Sequence, residues 1–153
     1  MNKGFTLIEL LITVSIIAIL STIGLTFFKS SLISARDGTR KQDLLRLATA
    51  LEVYFQQNHS YIPPTSNADA TCERDTALFY DPRSGIAPLL TTNIVPIDPL
   101  TKTNYCYVSV SGQGFRLFAK LENCKDPEII PNIDCQTAQW NYTVVSDNLN
   151  PSD

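Results

Sequence analysis

Glu9 poses the first chemical question in this 153-residue chain, because it is the one charge in an otherwise apolar run from Phe5 to Phe28. A carboxylate near the middle of a membrane-spanning helix costs about 2.5 to 3.5 kcal/mol, and less toward an end, so Glu9 calls for compensation by donors or a cation. The other candidates for chemistry are few. Cys72, Cys106, Cys124 and Cys135 all follow the apolar run, and the absence of a C-x-x-C pair speaks against zinc. His59, the single histidine, has no cysteine or carboxylate at ligand spacing and reads as a helix-end or solvent-facing residue. No glycine-rich phosphate loop and no Ser, His and Asp signature is present, so the expectation is no enzyme and no cofactor.

The elements that position these residues begin with the apolar run. A helix through Phe5 to Phe28 is about 36 Å long, enough to cross a hydrocarbon core of about 30 Å. A secretory signal is a poor account, since its apolar segment is about 7 to 15 residues and ends at a small-x-small site. Here the nearest such site, Thr22-Ile23-Gly24, lies inside the run. Charge counting does not orient the span: Lys3 and the initial amine flank one end, and Lys29, Arg36, Arg40 and Lys41 follow the other.

Read in order, Lys3-Gly4-Phe5-Thr6-Leu7-Ile8-Glu9-Leu10-Leu11-Ile12 resembles the start of type IV pilins and of the pseudopilins of type II secretion and competence systems. The resemblance implies cleavage after Gly4 by a prepilin peptidase on the cytoplasmic side and methylation of the new amine on Phe5. It also implies that Glu9 attracts the N-terminal amine of a neighbouring subunit as the span leaves the bilayer for a filament. Opposite charges attract strongly in low dielectric, which would repay the burial of Glu9. The partners implied are further copies or other pilin-like subunits, the peptidase, an inner-membrane assembly platform, and the membrane itself before assembly. One departure stands out: where many pilins bend this helix at a proline, this chain has Gly24 and Thr26.

With an N-terminus taken as cytoplasmic, the four cysteines enter an oxidising compartment and read as two disulfides stapling a small exported domain. Cys124 with Cys135 resembles the C-terminal disulfide loop of many pilins, and Cys72 with Cys106 is inferred as the second pair. Some secretion pseudopilins bind calcium near the C-terminus, and Asn123, Asp126, Glu128 and Asp134 offer hard oxygen ligands. Their spacing matches no motif, and a solvated acidic loop is the preferred reading. From His59 onward eleven acidic and six basic side chains leave a net charge of minus five, which argues against strong direct binding of nucleic acid. The tripeptides Asn58-His59-Ser60 and Asn141-Tyr142-Thr143 fit a glycosylation pattern that occurs often by chance and carry no weight.

Beyond Phe28 the pattern turns amphipathic. Leu44, Leu47, Ala48, Leu51 and Phe55 recur at helical spacing, with Asp43, Arg46, Glu52 and Gln56 assigned to the polar face, so one helix is expected to run to about Asn58. Gly38 is its weakest interior point and a candidate joint. Pro63-Pro64 ends it. Residues 65–100 read as a proline-broken loop, with a short helix expected at Ala87 to Thr91. Period-two patterning then gives strands at Tyr105 to Val110 and Phe115 to Leu121 around a Ser111 to Gly114 turn, and a third at Trp140 to Val145. Phe115, Leu117, Ala119 and Leu121 share the face expected against the helix. Pro96-Ile97-Asp98-Pro99, followed by Tyr105 and Tyr107, also resembles the loop that enters the sheet of pseudopilin heads.

The expected architecture is α+β, a long N-terminal helix packed on a small antiparallel sheet as in the pilin fold. Its parts are a leader (1–4), a transmembrane or filament-core helix (5–28), an amphipathic helix (29–58) and a globular head (59–153). The expected function is that of a structural subunit of a pilus or pseudopilus serving adhesion or motility, secretion, or DNA uptake. The small head and its hairpin lean toward the pseudopilin side. The rival is a membrane-tethered extracytoplasmic binding domain that never polymerises.

Overall fold

The computed structural model describes residues 4–62, 89–90, 94–110, 112–147 and 149. Helix α1 (Leu7–Asn58) is followed by strands β1 (Cys106–Val110), β2 (Gly114–Ala119) and β3 (Tyr142–Val145), which form one antiparallel sheet in that order. This is an α+β fold in which one long N-terminal helix packs on a small three-stranded sheet, consistent with the pilin fold. The chain divides into two compact units, Met1–Ala35 and Arg36–Asp153.

In the first unit α1 starts at Leu7 rather than Phe5, because Thr6 caps it. Its apolar side chains from Phe5 to Phe28 are 51 to 82 % exposed, and the stretch is long and apolar enough to cross a membrane. The hydroxyls of Thr13, Ser15 and Thr22 donate back to the carbonyls of Leu10, Leu11 and Ile19, each at 2.8 Å. Those polar groups are thereby satisfied within the helix, as a hydrocarbon solvent requires.

In the second unit the stripe on α1 meets the sheet. Leu44, Leu47 and Leu51 are fully buried against Phe115, Leu117, Ala119 and Leu121, the alternating face of β2 and its continuation. Period 3.6 on the helix and period 2 on the strand thus present their apolar sides to one core. Tyr61 joins the helix end to the sheet, stacked on Phe55 at 4.6 Å and edge-on to Phe115 at 5.1 Å. The polar-face assignment needs one correction: Asp43 is buried, because Tyr105 on the sheet side donates its hydroxyl to Asp43 Oδ2 at 3.0 Å. α1 closes at His59, whose φ of 57° and N–H bond to Phe55 O at 2.7 Å make a left-handed cap.

β1 and β2 pair from Cys106 opposite Phe118 to Val110 opposite Gly114, and β2 and β3 from Arg116 opposite Val145 to Ala119 opposite Tyr142. The strands are shorter than the sequence pattern suggests at Tyr105, at Leu121 and at Trp140. β2 stops at Ala119 because the Asn141 side chain replaces the backbone ladder beyond it. Its Oδ1 accepts Leu121 N–H at 2.6 Å and its Nδ2 donates to Leu121 O at 2.9 Å. In the hairpin turn Gly112 has φ +68°, its carbonyl accepts Tyr61 N–H at 3.0 Å, and a Cβ there would fall 2.8 Å from Ser60 Oγ. No other residue type suits both demands. The helix expected at Ala87 to Thr91 falls largely outside the described residues, as do Pro63-Pro64, most of the 65–100 loop, and Cys72.

Candidate functional site

At the N-terminus the site is built from four residues. Gly4, Phe5 and Thr6 precede the helix, and Glu9 is in its first turn. Glu9 Oε2 accepts Thr6 N–H at 2.9 Å and the Thr6 hydroxyl at 2.8 Å, while Glu9 N–H points back to Thr6 Oγ1 at 3.4 Å. Thr6-Leu7-Ile8-Glu9 is therefore a capping box, in which a threonine and a glutamate three residues on satisfy each other's backbone donors. The demand that Glu9 be compensated has a local answer within the single chain. Both donated bonds fall on Oε2, so the carboxylate keeps acceptor capacity on Oε1. The sequence carries the signal for this capping box as T-x-x-E ahead of an apolar run.

In the head, the basic residues counted above as flanking the span prove to be structural. Arg40 is buried among three carboxylates from three segments: Asp37 on α1 at 2.7 Å, Asp98 at 2.7 Å and Glu122 at 2.7 Å. Arg36 forks onto Glu122 with bonds of 2.7 and 2.6 Å. Asp37 in turn accepts the backbone N–H groups of Glu122 and Asn123 at 2.9 and 2.8 Å. Asp98 holds its own turn by accepting Leu100 N–H and Thr101 N–H, each at 2.8 Å. Burial alone would lower the Arg40 pKa and raise that of Asp98, but their mutual bonds and the other donors and carboxylates outweigh it. The Arg40 pKa is therefore raised and the Asp98 pKa lowered from their ordinary values.

The acidic loop considered for calcium is occupied by a cation of the protein's own. Lys41 Nζ donates to Asp126 at 2.8 and 2.9 Å, lies 3.2 Å from Glu128, and stands over the Tyr142 ring at 5.5 Å. Asp134 is turned to its own segment, bonding Gln136 N–H and the Thr137 hydroxyl. Among the described residues no set of three His, Cys, Asp or Glu side chains is disposed to hold a metal ion. Cys124 and Cys135 are joined in a disulfide that closes this loop. Cys106 is also bridged, and Cys72, the partner expected for it, lies outside the described residues. His59 is exposed at the helix end, and Asn141 of the second glycosylation tripeptide is fully buried.

A capped, all-round apolar helix and a small helix-on-sheet head are consistent with a pilin-like architecture. Residues 1–25 match the prokaryotic N-terminal methylation motif, the signature of prepilins and pseudopilins. No curated protein and no solved structure matches the chain. The motif supports a place among type IV pilin-like proteins and pseudopilins, points to a structural protein, and suggests a membrane-anchored precursor.

Proposed function

We propose that the chain is a structural subunit of a pilus-like filament. The precursor is held in the cytoplasmic membrane by residues 5–28 with its head outside. It is cut between Gly4 and Phe5 by a prepilin peptidase, methylated on Phe5, and polymerised through α1. The observation that carries this reading is the methylation motif opening a helix whose apolar surface is exposed on every side. A helix apolar all round suits lipid before assembly and neighbouring helices after it. Glu9 fits both stages. Thr6 satisfies one of its oxygens in the monomer, and the other can take the amine of a second subunit in the filament.

The mature N-terminus, read by mass spectrometry on protein from its native membrane, tests the processing: it should begin at methylated Phe5. Retention of Met1 in cells with an active peptidase would leave the tethered binding domain as the better account. Glu9→Gln isolates the charge, because glutamine completes a capping box as glutamate does. The expected result is a membrane-inserted monomer with filaments lost. Normal filament yield from this variant would remove the ionic role assigned to Glu9.

A further inference from the structure

Cys106 points away from α1. On β2, Phe115, Leu117 and Ala119 face the core, so Arg116 and Phe118 between them face the other way, as alternation along a strand requires. Cross-strand partners share a face, and the register sets Cys106 and Thr143 beside Phe118, and Val108 and Val145 beside Arg116. The second face of a small antiparallel sheet commonly faces water. This one does not: Cys106 is 8 % exposed, and the other five side chains are all partly buried. Val108, Phe118 and Val145 lie outside the core that α1 forms with the sheet, so α1 is not what covers them.

The covalent chemistry identifies the cover. Cys106 is disulfide-bonded, Cys124 and Cys135 are taken by each other, and among the described residues no cysteine is free. The fourth cysteine of the chain is Cys72. A disulfide holds its two Cα atoms about 4.4 to 6.8 Å apart, so the partner of Cys106 must lie over the face to which Cys106 points. The chain length permits it. Ile62, which precedes the segment, accepts at its carbonyl the hydroxyl of Tyr107 on the edge strand β1 at 2.8 Å. The ten residues from Pro63 to Cys72 reach up to about 33 Å when extended, enough to pass round that edge.

Arg116 is an independent sign of the same neighbour. Its Nε is buried without a hydrogen-bond acceptor among the described residues, whereas a buried donor is nearly always satisfied. Arg116 is the diagonal neighbour of Cys106 on this face, a separation of about 7 to 8 Å. Asp69, Glu73 and Asp75 all lie within three residues of Cys72. A bridge at Cys106 therefore delivers carboxylates to a guanidinium that lacks one.

We infer that Cys72 is bridged to Cys106 and that the segment between Ile62 and Leu89 is thereby seated on the outer face of the sheet, opposite α1. The strands become an inner layer, and the surface that the head offers a partner on that side is this segment and not β1 to β3. This arrangement belongs to a single copy and is independent of polymerisation.

Two measurements on the full chain, purified in detergent from its native membrane, test it. Peptide mapping without reductant is expected to return the Cys72 peptide joined to the Cys106 peptide and to release both on reduction. Cys72 found as a thiol, or joined to Cys124, Cys135 or a second copy, overturns the bridge. Phe118→benzoylphenylalanine keeps an aromatic ring on the outer face, and on irradiation of the monomer it is expected to capture a residue between positions 63 and 88 of its own chain. Capture of a second copy, of a residue elsewhere in the chain, or of nothing overturns the seating, since the face would then have another cover or none.

Discussion

Arg40 shows how much one side chain can decide. Its guanidinium reaches Asp37, Asp98 and Glu122 at once, which a planar fork of five donors can do and a lysine ammonium cannot. Removing it leaves three carboxylates in or beside the interior without their counter-ion, a change that costs roughly 3 to 5 kcal/mol where a buried pair is broken. Arg40→Met is therefore expected to lower the unfolding free energy of the head by about that amount, with Arg40→Lys recovering little of it. Urea unfolding of the full chain in detergent measures both, and an Arg40→Met head as stable as the parent would show that the cluster contributes no net stability. Lys41, nearer the surface and paired with the exposed Glu128 as well as Asp126, should matter less. In the sequence Arg40 looks like one of several cations trailing a membrane span, because its three partners lie 3, 58 and 82 residues away. Only Asp37, like the capping partner of Glu9, is three residues off and within local reach; Asp98 and Glu122 are not.

At the scale of elements, α1 was legible in its apolar stripe and in its end near His59, while the behaviour of its middle was not. The candidate joint at Gly38 is flanked by Asp37 and Arg40, both buried and bonded across to residues 98, 122 and 123. Those bonds clamp the helix turn that low propensity alone would loosen. Gly38→Ala adds a methyl group into open space and should stabilise the isolated head by up to about 1 kcal/mol, through helix propensity and a restricted unfolded chain. Calorimetry on the monomer checks this, and destabilisation would mean that the position tolerates no side chain even within one copy. The strands follow the alternation, and β2 ends two residues short of it because the Asn141 side chain takes over from the ladder at Leu121. A side chain standing in for backbone pairing leaves no periodic trace.

For the molecule as a whole, the charged staples make stability depend on pH in a direction that can be worked out. Arg36 holds the Glu122 pKa below its ordinary value, Lys41 does the same for Asp126, and Arg40 with the turn N–H groups does so for Asp98 against the effect of burial. Groups lowered in the folded state stabilise it fully above their unfolded pKa and lose that contribution as pH falls through the folded value. Asp43 runs the other way, since burial raises its pKa and favours the folded head in acid. With three groups against one, the melting temperature should stay level from about pH 8 to about 5 and fall below about pH 4, and Asp98→Asn should flatten the fall. An unchanged melting temperature between about pH 7 and about pH 3 would show that the staples do not govern the head.

The pairing of Cys124 with Cys135 is one of those that four cysteines allow and is seen only in the fold, whereas the apolar span, the methylation motif, the helix stripe and the hairpin are legible in the chain alone. These signals are local or periodic, set by neighbours within a turn, by alternation along a strand or by a short motif. Only the tertiary structure decided what the charges do: that Arg40 gathers carboxylates from three segments, that Lys41 occupies the acidic loop, and that Asp43 turns inward. A charge has no period, and whether it faces water or a partner depends on which distant segment the folded backbone brings within bonding distance.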